Sequence, residues 1–280
     1  MKILVLGTSS GAGKTTFCAM LCNHYSRSGF RISPFKASNL SLNSFATEDG
    51  GEIGMGQAFQ AWSAGIEPCI DMNPILMKPS GNGTIQLIVN GKPFRDINRE
   101  NPVNRDEAMT HVISALDRLS EKYDMIICEG SGSPVELNIM DRDIANTGLI
   151  RAAGIPAVLV GDIERGGCFA ALYGTWLLIP ENIRQYLKGF VINRFRGDPD
   201  ILGPAIDRIT ELTGMKYLGT LPYVNLRFPE EDSLSVSEGR MDGDDALSAF
   251  KKNISELTDA AESSGFDFEG LEEIMRDSSA

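Results

Sequence analysis

The glycine-rich segment at residues 7–16, GTSSGAGKTT, constrains the fold more than any other part of the sequence. It follows an apolar run at residues 3–6 and precedes a segment with the composition of a helix. Glycines allow a tight turn whose backbone N–H groups face phosphate oxygens, and the helix N-terminus adds partial positive charge. Lys14 is placed to reach the β and γ phosphates, and Thr15 offers a hydroxyl to Mg²⁺. This segment, the phosphate loop, predicts a site for ATP and Mg²⁺.

The phosphate loop departs from the common G-x-x-x-x-G-K-[ST] pattern, because five residues separate Gly7 from Gly13 and Thr8 occupies the usual first-glycine position. A dinucleotide-binding turn is excluded, since G-x-G-x-x-G does not occur here. A plain glycine turn is the alternative, but the GKTT ending between a strand and a helix favours nucleotide binding. The residues expected to contact the nucleotide are Thr8, Ser10, Gly11, Ala12, Gly13, Lys14, Thr15 and Thr16.

Short apolar runs rich in branched residues alternate with helix-length segments, which is typical of βαβ units around a parallel sheet. We therefore expect an α/β fold of the P-loop NTPase type, with a mostly parallel sheet of about seven strands and helices on both faces. The predicted strands are residues 3–6, 32–34, 85–89, 125–128, 157–160, 190–192 and 217–221. The predicted helices are residues 13–28, 54–64, 105–122, 143–153, 167–178 and 200–213.

The domain organisation is expected to be simple, because 280 residues with 42% hydrophobic composition can bury one large core with a modest appendage. We assign residues 1–235 to the P-loop domain and residues 236–280 to a C-terminal helical extension packed on it, with a docking surface for another subunit as the alternative role of that extension. Residues 80–104 are rich in Gly, Asn, Pro and Arg, and we expect them to form an excursion over the sheet edge that covers a ligand.

Composition excludes several classes of function. The formal charge of −12 opposes binding to nucleic acid. Five cysteines with no C-x-x-C pair, and two histidines, favour neither a zinc site nor a disulfide framework, so the thiols are expected to be reduced and structural. No run approaches the roughly 20 apolar residues of a membrane span, and the N-terminus has the character of a first strand instead of a signal peptide. We expect a soluble, cytoplasmic protein.

Two acidic residues follow predicted strands, where a P-loop sheet commonly places a carboxylate that holds Mg²⁺ directly or through water. Glu129 follows the strand at residues 125–128 and is the first choice. Asp162 follows the strand at residues 157–160 and is the second.

Several longer strings are more specific than the phosphate loop: PFKASNLSLNS (34–44), DGGEIG (49–54), DMNPILMKP (71–79), EGSGSPVELN (129–138), DIAN (143–146), DIERGG (162–167), GFVINRFRGD (189–198), LPY (221–223) and EDS (231–233). In order and spacing they resemble cobyric acid synthases, and the G-T-x-x-x-x-G-K-[ST] loop also resembles dethiobiotin synthetase. The resemblance spans residues 3–235 and implies an ATP-dependent C–N ligase: carboxylates on a corrinoid are phosphorylated, and ammonia then displaces phosphate to leave a carboxamide.

The resemblance also implies roles for individual residues. Catalytic roles fall to Lys14, Lys36, Asp49, Lys78, Glu129 and Arg165, with Thr15, Asp49 and Glu129 on Mg²⁺. Lys36 and Lys78 would serve the γ-phosphate and the substrate carboxylate, and Arg165 another carboxylate. Asn193 would hydrogen-bond to the adenine edge, with Pro222 also at the nucleotide. The polar positioning groups would be Gln57, Gln60, Asn39, Asn43 and Asn146. Ordinary loop lysines and turn asparagines are the alternative for these residues.

A glutaminase part, which supplies ammonia in this family through a Cys–His–Glu triad, has no counterpart here. No G-x-C-x-G elbow occurs, Cys168 lies within one of the strings above, and neither His24 nor His111 is placed as a triad base. A separate glutaminase subunit, free ammonium and a repurposed reaction on another substrate all remain open. The expected partners are a corrinoid or related polycarboxylate, that glutaminase subunit, and a second copy of the chain as a further option.

Two other functions remain as alternatives. A switch ATPase of the septum-positioning or plasmid-partition type shares this fold, but it uses a lysine early in the loop, where Thr8, Ser9 and Ser10 stand here. Several such proteins carry a basic membrane helix at the C-terminus, and the C-terminal segment here is acidic. A dethiobiotin-synthetase-like ligase acting on another carboxylate or carbamate is the second alternative.

Overall fold

The structure, a computed structural model, describes residues 1–81, 83–224 and 244–277, without the side chains of residues 244–246. The strands are β1 Lys2–Gly7, β2 Ile32–Phe35, β3 Ser38–Leu40, β4 Ser44–Ala46, β5 Glu52–Gly54, β6 Ile75–Gly81, β7 Thr84–Val89, β8 Lys92–Ile97, β9 Met125–Glu129, β10 Ala157–Asp162, β11 Leu187–Phe195 and β12 Lys216–Pro222. The helices are α1 Lys14–Arg27, α2 Met55–Ser63, α3 Arg105–Lys122, α4 Thr147–Ala153, α5 Cys168–Leu178, α6 Glu181–Arg184, α7 Gly203–Thr213, α8 Asp244–Ser263 and α9 Phe268–Asp277. Short 3₁₀ turns lie at Ile70–Met72, Met140–Arg142 and Pro199–Leu202.

The central sheet has six parallel strands in the order β12-β11-β10-β1-β9-β2. β1 lies inside the sheet, paired with β10 on one side and with β9 on the other. The phosphate loop therefore leaves the carboxyl edge of the sheet between the ends of β9 and β10, where open α/β sheets bind their ligands. This arrangement brings Glu129 and Asp162 to the two sides of the loop.

The sequence predicts about seven strands in the central sheet, and one of those strands lies in a second sheet instead. The strand predicted at residues 85–89 forms as β7, but β7 belongs to a four-stranded sheet of order β3-β6-β7-β8. β7 and β8 are joined by a two-residue turn, Asn90-Gly91, in which both residues have positive φ. Such a turn joins antiparallel strands, because parallel pairing requires a crossover of about a dozen residues. The central sheet thus has six strands, not seven, and the hairpin fills most of residues 80–104.

Helices cover both faces of the central sheet, as predicted. Alternate side chains of each strand point to opposite faces, so Leu4 and Leu6 contact one core while Ile3 and Val5 contact the other. The first core is closed by α3, α4, α5 and α7, and the second by α1, α8 and α9. All four of these β1 side chains are 0% exposed, which fixes the strand beneath the phosphate loop.

Two predicted helix starts are corrected. α4 begins at Thr147 and not at residue 143. The Asp143 carboxylate accepts hydrogen bonds from the Thr147 hydroxyl and the Gly148 N–H, so Asp143 precedes the helix and stabilises its first turn. The helix predicted at residues 200–213 is a 3₁₀ turn, Pro199–Leu202, followed by α7. A proline in the first turn of α7 suits its start, where an N–H has no helical partner.

The C-terminal helices pack on the second core. α8 contacts α1 and β12, and α9 contacts β1, β11 and β12. The apolar side chains at helical spacing are buried, as in Phe250, Ile254 and Leu257 of α8 and Leu271 of α9. The expected domain boundary at 235/236 and the string at residues 231–233 lie outside the described residues. Within the described ranges, no helix combines the length with the hydropathy that crossing a membrane demands.

The five cysteines are free thiols, and all but the half-buried Cys69 are buried. Burial raises the pKa of each of them, and it brings the pKa of Cys128 and of Cys168 to about 12. The thiolate is the reactive form of cysteine, so raised pKa values make these side chains poor nucleophiles near neutral pH. Their role is to fill the core.

We predict that the native protein contains no fast-reacting thiol at pH 8. An aromatic disulfide reagent should titrate all five cysteines only after unfolding in denaturant. Native reactivity should stay slow and rise with pH, since the thiolate fraction increases as the pH approaches each raised pKa. A thiol that reacts within the mixing time in the native state would contradict this assignment.

Candidate nucleotide site

The phosphate loop is held by close backbone packing at the start of α1. Gly13 has φ 96°, and a Cβ at this position would lie 2.2 Å from Nδ2 of Asn193, so only glycine fits. The Lys14 side chain folds back beside the loop, and its Nζ donates to the carbonyl oxygens of Ser9 at 3.1 Å and Gly132 at 2.9 Å. The Lys14 ammonium is thus fixed between the phosphate loop and the loop that follows β9.

A buried carboxylate, Glu129, is the centre of the site. It ends β9, is 1% exposed and accepts hydrogen bonds from four side chains. Oε1 accepts from the Thr15 hydroxyl at 2.8 Å and from Lys36 Nζ at 3.0 Å. Oε2 accepts from Nε2 of Gln60 at 2.6 Å and of Gln57 at 3.4 Å. These donors come from α1, from the segment after β2 and from α2, so Glu129 joins three parts of the fold.

Lys36 is positioned by Asn73, which is 1% exposed. The Asn73 Nδ2 donates to the carbonyl oxygens of Lys36 at 2.9 Å and Ile75 at 3.0 Å, and its Oδ1 accepts from the Gly54 N–H at 2.9 Å. The N–H of Lys36 donates to the Met72 carbonyl at 2.8 Å. One amide therefore ties the Lys36 backbone to β6 and to the start of α2.

The oxygen atoms around Glu129 fit Mg²⁺. This ion prefers carboxylate and hydroxyl oxygens and is usually bound by one or two protein carboxylates together with substrate phosphates. Thr15 Oγ1 and Glu129 Oε1 already lie 2.8 Å apart, and the buried Oε1 of Gln60 has no hydrogen-bond partner among the described residues. These hydroxyl and carboxylate oxygens suit an ion that arrives with a nucleotide. Across the described ranges, nowhere do three or more His, Cys, Asp or Glu side chains cluster as metal ligands.

Asn193 contacts the phosphate loop directly, and Asp162 is connected to it through Arg194. Asn193 Nδ2 donates to the Ala12 carbonyl at 2.9 Å, and its Oδ1 accepts from the Arg194 N–H at 2.9 Å. The Arg194 guanidinium donates to the Gly11 carbonyl and to the Asp162 carboxylate, each at 2.9 Å. Asp162, the second choice for Mg²⁺, thus forms an ion pair here, and both ends of the Asn193 amide bond to backbone.

Asp49 and Lys78 lie away from the Glu129 cluster. Asp49 is exposed in the β4–β5 turn and accepts a hydrogen bond from Thr47, and no contact among the described residues joins it to Thr15. Lys78 Nζ donates to the Glu52 carboxylate at 2.8 Å and to the Ser44 hydroxyl at 3.0 Å. Burial alone would raise the pKa of Glu52, but the hydrogen bonds from Lys78 and Ser44 outweigh it and lower that pKa.

Three further predicted residues occupy the periphery. Arg165 is exposed in the loop between β10 and α5. Pro222 ends β12 and pairs with Phe195 of β11. The carbonyl of Asn43 accepts a hydrogen bond from the N–H of Met55, the first residue of α2, at 3.2 Å. None of the three contacts Glu129 in the described part of the structure.

Asn39 and Asn146 act as positioning residues in the structure. Asn39 Nδ2 donates to the Gln57 Oε1 at 3.3 Å and so continues the network that leads to Glu129. Asn146 accepts from the Ser131 N–H at 3.0 Å and donates to the Ser131 carbonyl at 2.8 Å. It is in turn held by the Asp143 carboxylate. Asn146 therefore fixes the loop after β9 that carries the acceptor of the Lys14 hydrogen bond.

A cleft of about 730 Å³ opens beside the phosphate loop. One wall is the second sheet, with Met77, Ile85 and Ile97, and the opposite wall is the connection between β9 and α4. Ser10 and Gly132 line the end of the cleft at the phosphate loop. A ligand in this cleft would lie next to the carbonyl that binds the Lys14 ammonium.

Two residues of the site, Asn73 and Arg194, had no role in the sequence interpretation. Both lie within the strings that carry the family resemblance, at residues 71–79 and 189–198, so a signal was present. Their roles depend on backbone partners distant in sequence, which spacing does not reveal. Arg194 also has φ 64°, an uncommon conformation for a residue other than glycine that is often found at functional sites.

Comparison with known proteins matches the part of the chain that contains the phosphate loop and Glu129 to a nucleotide-binding family. The family model described as the CobQ/CobB/MinD/ParA nucleotide binding domain matches residues 3–235. A "probable cobyric acid synthase" of Methanoregula boonei is 48% identical over 241 residues, covering 86% of this chain and 50% of that protein. One of Methanocella arvoryzae is 47% identical, covering 98% and 55%, and a "cobyric acid synthase" of Sorangium cellulosum is 48% identical, covering 86% and 46%. The chain spans about half the length of these relatives.

Among solved structures, chloroplast FtsY from Physcomitrella patens is similar with a TM-score of 0.48 and 14% identity, covering 90% of this chain and 64% of that one. A likeness this distant carries no information about ligand or activity.

We predict that Lys36→Met lowers the free energy of unfolding by about 3–5 kcal/mol, because it leaves the buried Glu129 carboxylate without its cation. Lys78→Met is the matched control. It breaks a pair whose side chains are 26% and 24% exposed, and it should cost about 1 kcal/mol. Urea unfolding of each variant measures the two values.

The double variant Lys36→Met/Glu129→Gln should be more stable than Lys36→Met alone, since it removes the uncompensated charge as well. Equal losses in Lys36→Met and Lys78→Met, with no recovery in the double variant, would show that the Glu129 cluster does not carry the stability assigned to it.

Proposed function

Because the chain belongs to the CobQ/CobB/MinD/ParA nucleotide binding domain family, we propose that it binds ATP with Mg²⁺ and activates carboxylates of a corrinoid for conversion into carboxamides. The observation that carries this proposal is the pairing of the phosphate loop with the buried Glu129 cluster at one edge of the sheet, beside a cleft large enough for an acceptor. Similarity to relatives named probable cobyric acid synthase, at 48% and 47% identity over 241 and 279 residues, supports the choice of acceptor.

The chemistry begins with a poor electrophile, a carboxylate. A carboxylate oxygen attacks the γ-phosphorus of ATP, the bond from that phosphorus to the β-γ bridging oxygen breaks, and ADP leaves. Ammonia then attacks the acyl carbon, loses a proton, and phosphate departs with the former carboxylate oxygen. Catalysis of the first step consists mainly of placing two anions together and neutralising their charge.

Lys14 and Lys36 are the cations suited to that task. Lys14 would bind the β and γ phosphates, exchanging its two carbonyl partners for phosphate oxygens. Lys36 would face the transferred phosphoryl group from the Glu129 cluster, with Asn73 holding its backbone in place. Thr15 and Glu129 would hold Mg²⁺, which would supply positive charge against the negative charge of the phosphates.

The remaining predicted residues keep proposed roles. Asp49 would add a carboxylate to the Mg²⁺ site from the β4–β5 turn. Lys78 and Arg165 would bind carboxylates of the acceptor. Asn193 and Pro222 would contact the adenine, and the amide of Asn193 has a second N–H and a second lone pair available besides its backbone bonds.

Ammonia is proposed to come from free ammonium or from a glutaminase outside these 280 residues. The cysteines within them are structural, and the described histidines are engaged elsewhere: His24 contacts Glu262, and His111 contacts Asn90. The cytoplasm, where ATP is abundant, is the proposed location.

The direct test is incubation with Mg-ATP, ammonium and cobyrinic acid, a corrinoid with free carboxylates on its rim. The expected products are corrinoids in which hydroxyl is replaced by amino, seen by mass spectrometry, together with ADP and phosphate. Glutamine in place of ammonium should give no product unless a glutaminase is added. ATP hydrolysis that responds to another carboxylate would reassign the acceptor, and hydrolysis that responds only to dimerisation or a membrane would favour a switch ATPase.

We further predict that Lys14→Ala lowers turnover by a factor of about 10² to 10³ or more, because it removes a cation from developing phosphate charge. Lys188→Ala, which changes an exposed lysine of β11, is the control and should match the wild type. Steady-state ADP release and circular dichroism measure turnover and folding. Normal turnover in the Lys14 variant would remove the phosphate loop from the mechanism.

A further inference from the structure

The cleft beside the phosphate loop is lined in part by exposed apolar side chains. Three of its lining residues are large apolar side chains that stand open to solvent: Leu40 and Leu42 are each 46% exposed and Ile139 is 52% exposed. They continue the apolar surface that the half-buried Ile85 and the buried Ile97 provide on the second sheet. Exposed apolar groups gathered around one concave surface indicate a ligand with an apolar body.

Two arginines line the same cleft. Arg99 follows β8 and Arg142 lies in the 3₁₀ turn before α4, so they come from different parts of the cleft lining. Both are exposed, and neither forms an ion pair with a carboxylate of the described residues. Guanidinium groups bind carboxylates through paired N–H donors, which suits them to the acidic rim of a ligand.

Two acidic residues, Glu136 and Asp143, also line the cleft, and they differ in how strongly they would repel a carboxylate ligand. The Asp143 carboxylate accepts four hydrogen bonds from the start of α4, including those of Asn146 and Gly148, so its charge is already stabilised locally. Glu136 is exposed and has no such partners among the described residues. A carboxylate ligand would therefore be attracted by Arg99 and Arg142 and opposed by Glu136.

We propose that this cleft binds the acceptor, with the flat apolar body of a polycarboxylate macrocycle against the second sheet and its rim carboxylates on Arg99 and Arg142. The inference rests on the proposed function and names the acceptor's site and specificity residues. One end of the cleft is formed by Gly132, whose carbonyl accepts from Lys14 at 2.9 Å. A rim carboxylate at that end lies beside the γ-phosphate position, while the arginines hold other carboxylates further out.

The test is binding of cobyrinic acid, followed by its visible absorption in equilibrium dialysis and carried out with and without a non-hydrolysable ATP analogue. Arg99→Gln and Arg142→Gln should each weaken binding roughly five- to tenfold, and the double variant should weaken it further. Glu136→Gln should tighten binding. Arg151→Gln, an equal change of charge at an exposed position of α4 outside the cleft, should leave it unchanged.

Two further measurements change the ligand and the salt concentration. Cobinamide, a corrinoid whose rim carries amides, should bind more weakly than cobyrinic acid. Salt should weaken binding of cobyrinic acid in the wild type and should have less effect in the double arginine variant, because exposed charges are screened.

For the apolar wall, Ile139→Asn should weaken binding, while Leu177→Asn, at a leucine 50% exposed on α5, should not.

The outcomes separate this inference from the proposed function. Amidation of cobyrinic acid with equal binding by the Arg99, Arg142, Glu136 and Arg151 variants would overturn the cleft assignment and leave the proposed function intact. A wild type that binds the ATP analogue and does not bind cobyrinic acid would overturn the choice of acceptor and the inference with it. Normal binding of the ATP analogue by each variant shows that the fold is retained.

Discussion

The Glu129 carboxylate is buried at the end of β9 and is shared by Lys36, Thr15 and two glutamines of α2. A buried carboxylate is unfavourable unless it is paired and hydrogen-bonded, so every element that supplies a donor is constrained to this position. Thr15 fixes the start of α1, Lys36 fixes the segment after β2, and α2 is held through its glutamines. The cluster sets the position of the second sheet relative to the phosphate loop, because both are connected to it. The second sheet is connected through Asn73.

The same arrangement would allow one edge of the sheet to hold the two proposed anions in a chain with a formal charge of −12. The central strands place the phosphate loop and Glu129 at their carboxyl ends. The second sheet, an addition to that framework, supplies an apolar wall against which the proposed acceptor would lie. Lys14 connects the two regions, since its ammonium bonds to the loop after β9 and that loop lines the cleft.

Much of this fold follows from local sequence pattern. The central strands and the phosphate loop were predictable because buried parallel strands are continuous apolar runs and because the loop sequence leaves few alternatives. The assignment of residues 85–89 to the central sheet was wrong, although Asn90-Gly91 is a strong hairpin signal. The predicted helix that starts at residue 143 begins instead at Thr147, and the Asp143 side chain bonds to its first turn. Contacts between residues distant in the chain, such as that of Arg194 with Asp162, could not be predicted, since sequence pattern alone does not determine which side chains meet.

The proposed use of ATP at this site is to activate an acceptor carboxylate. Transfer of oxygen tests this use most directly: cobyrinic acid labelled with ¹⁸O in its carboxylates is incubated with Mg-ATP and ammonium, and the released phosphate is analysed by mass spectrometry. Each amide formed should deliver one labelled oxygen to phosphate, because the carboxylate oxygen that attacks the γ-phosphorus leaves with it. Amide formation with unlabelled phosphate would contradict the proposal, since ATP would then be hydrolysed by water at this site.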